Sequence, residues 1–213
     1  MSWQLAALVV LSAVLAAGFA WYEQSRPSPK LLAMVATLAA LAALGRIAFA
    51  PLPSVKPTTD IVFLAGFVLG GAPGFAVGAI AALSSNLVFG QGPWTPWQMF
   101  AWGLVGVIGA GWARLLGGRL PRVATAALLA ACGLLFGLIM NASHLIALSE
   151  PPTGSQLLAV QLSSLPFDIA HAAGNVVFFL AFGPALARML LRFRDRLEVS
   201  WTAPAPQPTR TTS

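Results

Sequence analysis

The sequence predicts an all-α integral membrane protein, and three observations carry that prediction. Of 213 residues, 58% are hydrophobic and only 8% are charged, and the mean hydropathy is +0.81. A soluble domain usually carries about 25% charged residues, so this chain has too few to cover a water-exposed surface. Its apolar runs match the roughly 20 residues of a spanning helix and are far too long for barrel strands. The length permits six or seven such helices.

The first predicted helix is Trp3–Tyr22. A cleaved signal peptide is the alternative, with a small-residue site near Ala17, but no basic residue precedes the apolar core. Trp21 and Tyr22 resemble the aromatic belt of a helix that stays in the membrane. We therefore expect residues 1–25 to be a retained transmembrane helix.

The second predicted helix, Leu31–Ala50, is dense in alanine. Ala36 with Ala40, and Ala39 with Ala43, recur four residues apart and form a ridge of small side chains. Such a ridge lets another helix approach closely. Spacing alone leaves open whether the approaching helix belongs to the same bundle or to a partner.

Two shorter segments, Asp60–Leu69 and Phe75–Phe89, flank a turn rich in glycine and proline at residues 70–74. We expect a tight helical hairpin here, with Thr58 or Thr59 capping the first helix. Four glycines at four-residue spacing favour close packing of this hairpin. They are Gly66, Gly70, Gly74 and Gly78.

The rest of the chain predicts three more spans and a tail. The spans are Trp97–Leu116, Val123–Leu148 and Gln156–Leu191, the last of them broken near Pro166. Residues 201–213, rich in proline and threonine, are expected to be disordered. The six later helices make one domain over residues 30–195.

The basic residues predict the orientation of the helices. They concentrate in three segments, Arg26–Lys30, Arg114–Arg122 and Arg188–Arg196, which the positive-inside rule places in the cytoplasm. The amino terminus is then external and the carboxyl terminus cytoplasmic, and Lys56 is the one base in the external loops. This clustering explains the net charge of +6 without a nucleic-acid partner.

Polar residues near the predicted external ends are candidates for a ligand site, because ionisable groups at membrane depth are costly and usually functional. Asp168, His171 and Asn175 share one helical face. The full set comprises Lys56, Asp60, Asn86, Gln91, Trp94, Trp97, Gln98, Asn141, His144, Asp168, His171 and Asn175. Internal pairs such as Arg46 with Asp168, or Lys56 with Asp60, are the alternative.

Trp94 and Trp97 lie in a loop of glycine and proline beside Gln91 and Gln98. Tryptophan often serves only as an interfacial anchor. Two tryptophans beside two glutamines favour a wall that stacks on, and hydrogen-bonds to, a small organic ligand.

Signatures of catalysis are missing from the sequence. His144 and His171 are the only histidines, and no metalloprotease, serine hydrolase or nucleotide-hydrolysing motif is present. Cys132 lies alone in an apolar helix, so neither a disulfide nor a metal site is expected. We expect no cofactor, and active transport would need energy from another subunit or a gradient.

The segment GRIAFAPLPSVKPTTDIVFLAGFVLGGAPGFAVGAIAALSSNLVFGQGPWTPWQMFAWGLVG, which begins at Gly45, resembles the S components of energy-coupling factor (ECF) transporters. These are substrate-binding proteins of vitamin uptake in prokaryotic plasma membranes. The resemblance implies six helices, with residues 1–25 as an additional one. It also implies a vitamin ligand, and the Gly90–Trp94 loop looks most like S components linked to cobalamin.

The resemblance implies partners as well. A transmembrane coupling subunit would dock on Ala36, Ala39, Ala40 and Ala43, and two cytoplasmic ATPases would supply energy. The S component would topple in the bilayer to carry its ligand inward. Two other interpretations stay open: a membrane scaffold without ligand, and an intramembrane enzyme with Asp168 and His171 as an acid–base pair.

Overall fold

The computed structural model describes residues 3–147 and 153–195, and within these ranges it contains seven α-helices and no strand. They are α1 (Trp3–Gln24), α2 (Pro29–Ala48), α3 (Thr58–Leu69), α4 (Gly71–Phe89), α5 (Thr95–Leu115), α6 (Arg122–Ile146) and α7 (Gly154–Asp195). Five of them are long and apolar enough to cross a membrane, all but α3 and α5. The chain is thus the all-α, multi-pass membrane protein that the sequence predicts. The predicted tail at 201–213 lies outside the described residues.

The helices alternate in direction, so their connections gather at two ends of the bundle. One end holds loop 49–57, loop 90–94 and the end of α6, and we call it the tryptophan end. The opposite end holds Gly70, loop 116–121 and the end of α7, and we call it the arginine end. Arg194 marks this second end, where it donates to the carbonyl of Val68.

Helix α3 lies at the centre of the bundle, and every residue from Thr58 to Val68 is buried. It packs against α2, α4, α5, α6 and α7. At 1.5 Å per residue its 12 residues span about 18 Å, well short of a bilayer core of about 30 Å. A segment so short and apolar is stable only because other helices surround it completely.

The predicted hairpin is present, with Gly70 as the single residue between α3 and α4. Its φ of +99° is a conformation that side chains disfavour. Helix α4 begins at Gly71 rather than at Phe75, since a proline such as Pro73 is tolerated in the first turn of a helix, where no backbone partner is lost.

The predicted threonine caps of α3 are wrong. Pro57 occupies the cap position and no side chain caps the helix. The Thr58 hydroxyl donates instead to the carbonyl of Ala42, at 3.1 Å, and Thr59 reaches His171. Buried hydroxyls this close to other helices form bonds between helices rather than local caps.

Glycines let α3, α4 and α5 approach at backbone distance. A Cβ at Gly66 would meet the backbone of Gly106, and one at Gly106 would meet the backbone of Gly74. The predicted close packing is confirmed at Gly66, Gly74 and Gly78. At Gly70, the fourth, an added Cβ would meet no other atom, so this glycine serves the turn rather than close packing.

The predicted break near Pro166 is wrong, because α7 continues from Gly154 to Asp195 through both Pro166 and Pro184. A proline removes one backbone hydrogen bond, which a long helix survives when its neighbours supply other bonds. Ser163 and Ser164 donate to the carbonyls of Val160 and Gln161 next to this proline.

Helix α1 packs on the outside of α4 and α5. Phe19 and Phe75 meet edge to face, with ring centroids 5.9 Å apart. Leu11 and Leu15 join Phe75 and Ala79 in a small cluster separate from the main core. The additional helix is therefore held by its own apolar contacts, and its first turns lie at the tryptophan end.

We predict that Gly106→Ala destabilises the protein, because its methyl group would collide with the backbone of Gly74. Overpacking of this kind costs about 1–3 kcal/mol. Gly111→Ala, in the same helix with open space around it, is the matched control. Thermal unfolding of the purified variants in detergent measures both, and equal melting temperatures would contradict the close packing.

Candidate functional site

Arg46 organises the polar groups at the tryptophan end. It lies in the last turn of α2 and is only 7% exposed. Its Nη1 donates to Ser85 Oγ at 2.6 Å and to Asn86 Oδ1 at 2.7 Å. Helices α2 and α4 end side by side here, which brings residues 39 and 40 positions apart into direct contact.

Asn86 extends this network towards α5. Its Nδ2 donates to Thr95 Oγ1 at 3.0 Å and to Gln98 Oε1 at 2.7 Å. The Thr95 hydroxyl in turn donates to Gln91 Oε1 at 2.9 Å. Three predicted site residues, Asn86, Gln91 and Gln98, thus belong to one hydrogen-bonded group that also contains Arg46.

A second group surrounds Thr59. Trp102 Nε1 donates to the Thr59 hydroxyl at 3.2 Å, and that hydroxyl lies 2.8 Å from His171 Nε2. The Phe136 ring lies beside both, with centroids 4.6 Å from Trp102 and 5.3 Å from His171. Because Arg46 Cζ lies 5.0 Å from the Trp102 ring centroid, the two groups are in contact.

A third group joins α6 to α7. Asn141 Nδ2 donates to Gln161 Oε1 at 3.0 Å and to Ser164 Oγ at 2.7 Å. Gln161 and Ser164 donate in turn to Asp168 Oδ2, at 2.8 and 2.7 Å. The carboxylate of Asp168 therefore accepts hydrogen bonds from neutral side chains. The alternative prediction, that Asp168 pairs with Arg46, is wrong.

Asp168 and His171 also share no hydrogen bond in the described part of the chain. Asp168 is bound by Gln161 and Ser164, and His171 by Thr59. The two side chains are thus occupied separately, which removes the geometric basis for an acid–base pair.

Six predicted residues stay outside these groups: Lys56, Asp60, Trp94, Trp97, His144 and Asn175. Asp60 is fully buried, and neither carboxylate oxygen has a hydrogen-bond partner among the described residues. It makes no ion pair with Lys56, contrary to the predicted alternative, since the pair between Arg194 and Asp195 is the only one found over residues 3–147 and 153–195. Asn175 donates to the carbonyl of Leu129 at 2.9 Å and so ties α7 to α6.

Lys56 is half-buried in loop 49–57, outside the helices. Burial, and after it the charge of Arg46, lower the pKa of Lys56 below its ordinary value. The loop packs on the bundle through Pro57, which lies against Gly45, and through Val55, which lies against Gly174.

An apolar cavity of about 460 Å³ opens beside loop 90–94. Its volume falls in the range of small-molecule pockets. Trp94 is 43% exposed and lines this cavity. The predicted residues Trp97 and His144 line it as well, together with Gln4 and Leu8 of α1 and Met140 of α6.

Sequence reasoning missed Thr95, Gln161 and Ser164 as members of these groups and placed Thr59 in a cap. The sequence contained a signal for Gln161 and Ser164, which is their spacing. Gln161, Ser164, Asp168, His171 and Asn175 follow one another at alternating three- and four-residue steps, which is a single helical face. Nothing in the sequence identified Thr95 as a partner of Asn86.

Fold and geometry together define a multi-pass membrane protein that concentrates its polar side chains and an apolar cavity at one end of a helical bundle. A family model described as "ECF-type riboflavin transporter, S component" matches residues 26–188. The chain belongs to this family of ECF transporter S components, which is not an enzyme family. The match begins after α1. No curated protein and no solved structure matches the chain.

We predict that Thr59→Val destabilises the protein, because it leaves the buried Trp102 and His171 nitrogens without their partner. Losing a buried hydrogen bond in this way costs about 1–3 kcal/mol. The control is Thr37→Val, whose hydroxyl is exposed and bonds only within its own helix. Thermal unfolding compares the two, and an unchanged melting temperature for Thr59→Val would argue against the second group.

Proposed function

We propose that this S component binds a vitamin or related small molecule at the tryptophan end and delivers it inward with a transmembrane coupling subunit and two cytoplasmic ATPases. The family match supports the class of transporter. The observation that carries the binding end is the cavity lined by Trp94 and Trp97, adjoining the loop whose Gln91 belongs to the Arg46 network. An apolar cavity with a few fixed polar groups is the usual form of a small-molecule site.

The tryptophan end faces the outside in this proposal. Its connections carry few basic residues, whereas Arg114, Arg119 and Arg122 surround the connection between α5 and α6 at the opposite end. The positive-inside rule then puts the arginine end in the cytoplasm, with the amino terminus external and the carboxyl terminus cytoplasmic.

A flavin is the first candidate for the substrate, because the matching family is described by riboflavin. A planar ring system suits stacking on the exposed indole of Trp94. Cobalamin, suggested by the Gly90–Trp94 sequence, is the second candidate. It is several times larger than a flavin, so a cavity of about 460 Å³ favours the smaller molecule.

A scaffold without ligand is the competing function, and one observation favours it. Asn86, Thr95 and Gln98 already satisfy one another, as polar groups that only join helices would. The cavity of about 460 Å³ beside Trp94 is the observation against it, since joining helices does not require such a cavity.

We predict that Trp94→Ala weakens vitamin binding about tenfold or more, since stacking on an aromatic ring is worth roughly 1–3 kcal/mol. Trp21→Ala is the matched control, because Trp21 is also 43% exposed but lies at the arginine end. The measurement is a titration of each purified variant with riboflavin and with cobalamin, whose visible spectra differ.

A wild-type protein that copurifies with no vitamin, and whose melting temperature responds to neither, would refute the transport proposal in favour of the scaffold. Equal loss of binding in Trp94→Ala and Trp21→Ala would place the site away from loop 90–94.

The coupling subunit docks, in this proposal, on the alanine ridge of α2. A groove of about 650 Å³ runs between α2 and α4, and Ala36, Ala39, Ala40 and Ala43 all line it. Ala39 and Ala43 are buried at its base, whereas Ala36 and Ala40 are exposed. Small exposed residues allow a partner helix to approach to backbone distance.

We predict that Ala40→Leu disrupts complex formation with the coupling subunit, because the larger side chain fills the groove. Vitamin binding by the isolated S component should stay unchanged. Ala33→Leu, on an exposed part of the same helix outside the groove, is the control. Copurification of the complex with each variant is the readout, and normal assembly of Ala40→Leu would move the docking face elsewhere.

A further inference from the structure

The guanidinium of Arg46 is buried among neutral partners. Its hydrogen-bond acceptors are a serine hydroxyl and an amide oxygen, and its Cζ lies 4.7 Å from the ring centroid of Phe89 and 5.0 Å from that of Trp102. These contacts offset part of the cost of taking a cation out of water, but none of them carries a negative charge. No carboxylate forms an ion pair with Arg46 among the described residues.

One edge of this guanidinium has no hydrogen-bond acceptor among the described residues. Nη1 makes both hydrogen bonds, while Nε is buried without an acceptor in the described part of the chain. The edge formed by Nε and Nη2 is one that carboxylates and phosphates bind with two parallel hydrogen bonds. The side chain is therefore fixed through Nη1, and its Nε–Nη2 edge stays without an acceptor in the described part of the chain.

Lys56 supplies a second cation next to Arg46. It is half-buried, and its ammonium has no hydrogen bond or ion pair among residues 3–147 and 153–195. Pro57, which follows Lys56, lies against Gly45, which precedes Arg46, so the loop holds the lysine close to the end of α2. Two cations held close together repel each other, and an anion between them would relieve that repulsion.

The described acidic side chains do not meet this need. Asp168 accepts from Gln161 and Ser164, and Asp60 accepts from neither cation. Glu23 and Asp195 lie in the terminal turns of α1 and α7, at the arginine end. Within residues 3–147 and 153–195, neither Arg46 nor Lys56 therefore forms an ion pair with a carboxylate.

We propose that Arg46 and Lys56 receive an anionic group of the transported molecule, a carboxylate or a phosphate ester. The inference rests on the proposed binding function and narrows its substrate class to anions. Riboflavin itself has no such group at neutral pH, whereas its 5′-phosphate does. Arg46 would fix the anion by paired hydrogen bonds, and Lys56 would add a charge from the loop that covers it.

The test compares matched pairs of neutral and anionic ligands on the full chain in nanodiscs of phosphatidylcholine. The pairs are riboflavin and riboflavin 5′-phosphate, nicotinamide and nicotinate, and biotin methyl ester and biotin. Calorimetric titration gives the ratio of the two Kd values for each pair that binds. We expect the anionic member to bind at least about tenfold more tightly, since charge-assisted bonds are roughly twice as strong as neutral ones.

Arg46→Gln and Lys56→Gln should each remove most of this preference, and Arg46→Lys should retain part of it because the charge remains. Lys56→Gln lies in a loop and keeps the test valid if Arg46→Gln fails to fold. Arg114→Gln removes one positive charge at the arginine end and is the matched control that keeps the preference.

Several results would overturn the inference. Tighter binding of the neutral member, or a preference unchanged in both glutamine variants, would refute it while leaving vitamin binding intact. If no member of any pair binds, the proposed function fails together with it.

Discussion

The burial of α3 is the constraint on which the rest of the structure depends. A helix of 12 residues cannot cross a bilayer core by itself, and it is stable here because glycines allow α4 and α5 to pack against it at backbone distance. In lipid the hydrophobic effect offers little for helix association, so such contacts must come from close packing and hydrogen bonds. Gly66, Gly74 and Gly106 supply the packing.

The same constraint carries polar side chains into the bundle. Since α3 is surrounded, Thr58 and Thr59 at its start must find partners on other helices, and they bind Ala42 and His171. The first bond ties α3 to the preceding helix α2, and the second ties it to α7, which is distant in sequence. The hydrogen bonds that stabilise the core therefore also determine where α7 presents its polar face.

Charge is scarce in this protein, and the structure keeps it at the two ends. At the arginine end the cations are mostly exposed, as the positive-inside rule predicts for residues that set orientation. At the tryptophan end Arg46 is buried against aromatic rings and neutral acceptors, in an arrangement that orientation does not require. The two ends thus differ in how they hold arginine: exposed at the arginine end, and buried with neutral partners at the tryptophan end.

The sequence by itself determined the class of fold, the helical hairpin at Gly70 and the close packing of three of its four glycines, because hydropathy, helix length and small-residue spacing are local properties. It also placed Asp168, His171 and Asn175 on one helical face. It did not determine which polar groups meet. The cap at Thr59, the break at Pro166 and the pairs Arg46 with Asp168 and Lys56 with Asp60 were wrong, because local propensity and opposite charge do not decide which helices are neighbours. Only the tertiary structure places α2 against α4, where Arg46 donates hydrogen bonds to Ser85 and Asn86. The reason is that helix packing decides which partner a buried polar group meets.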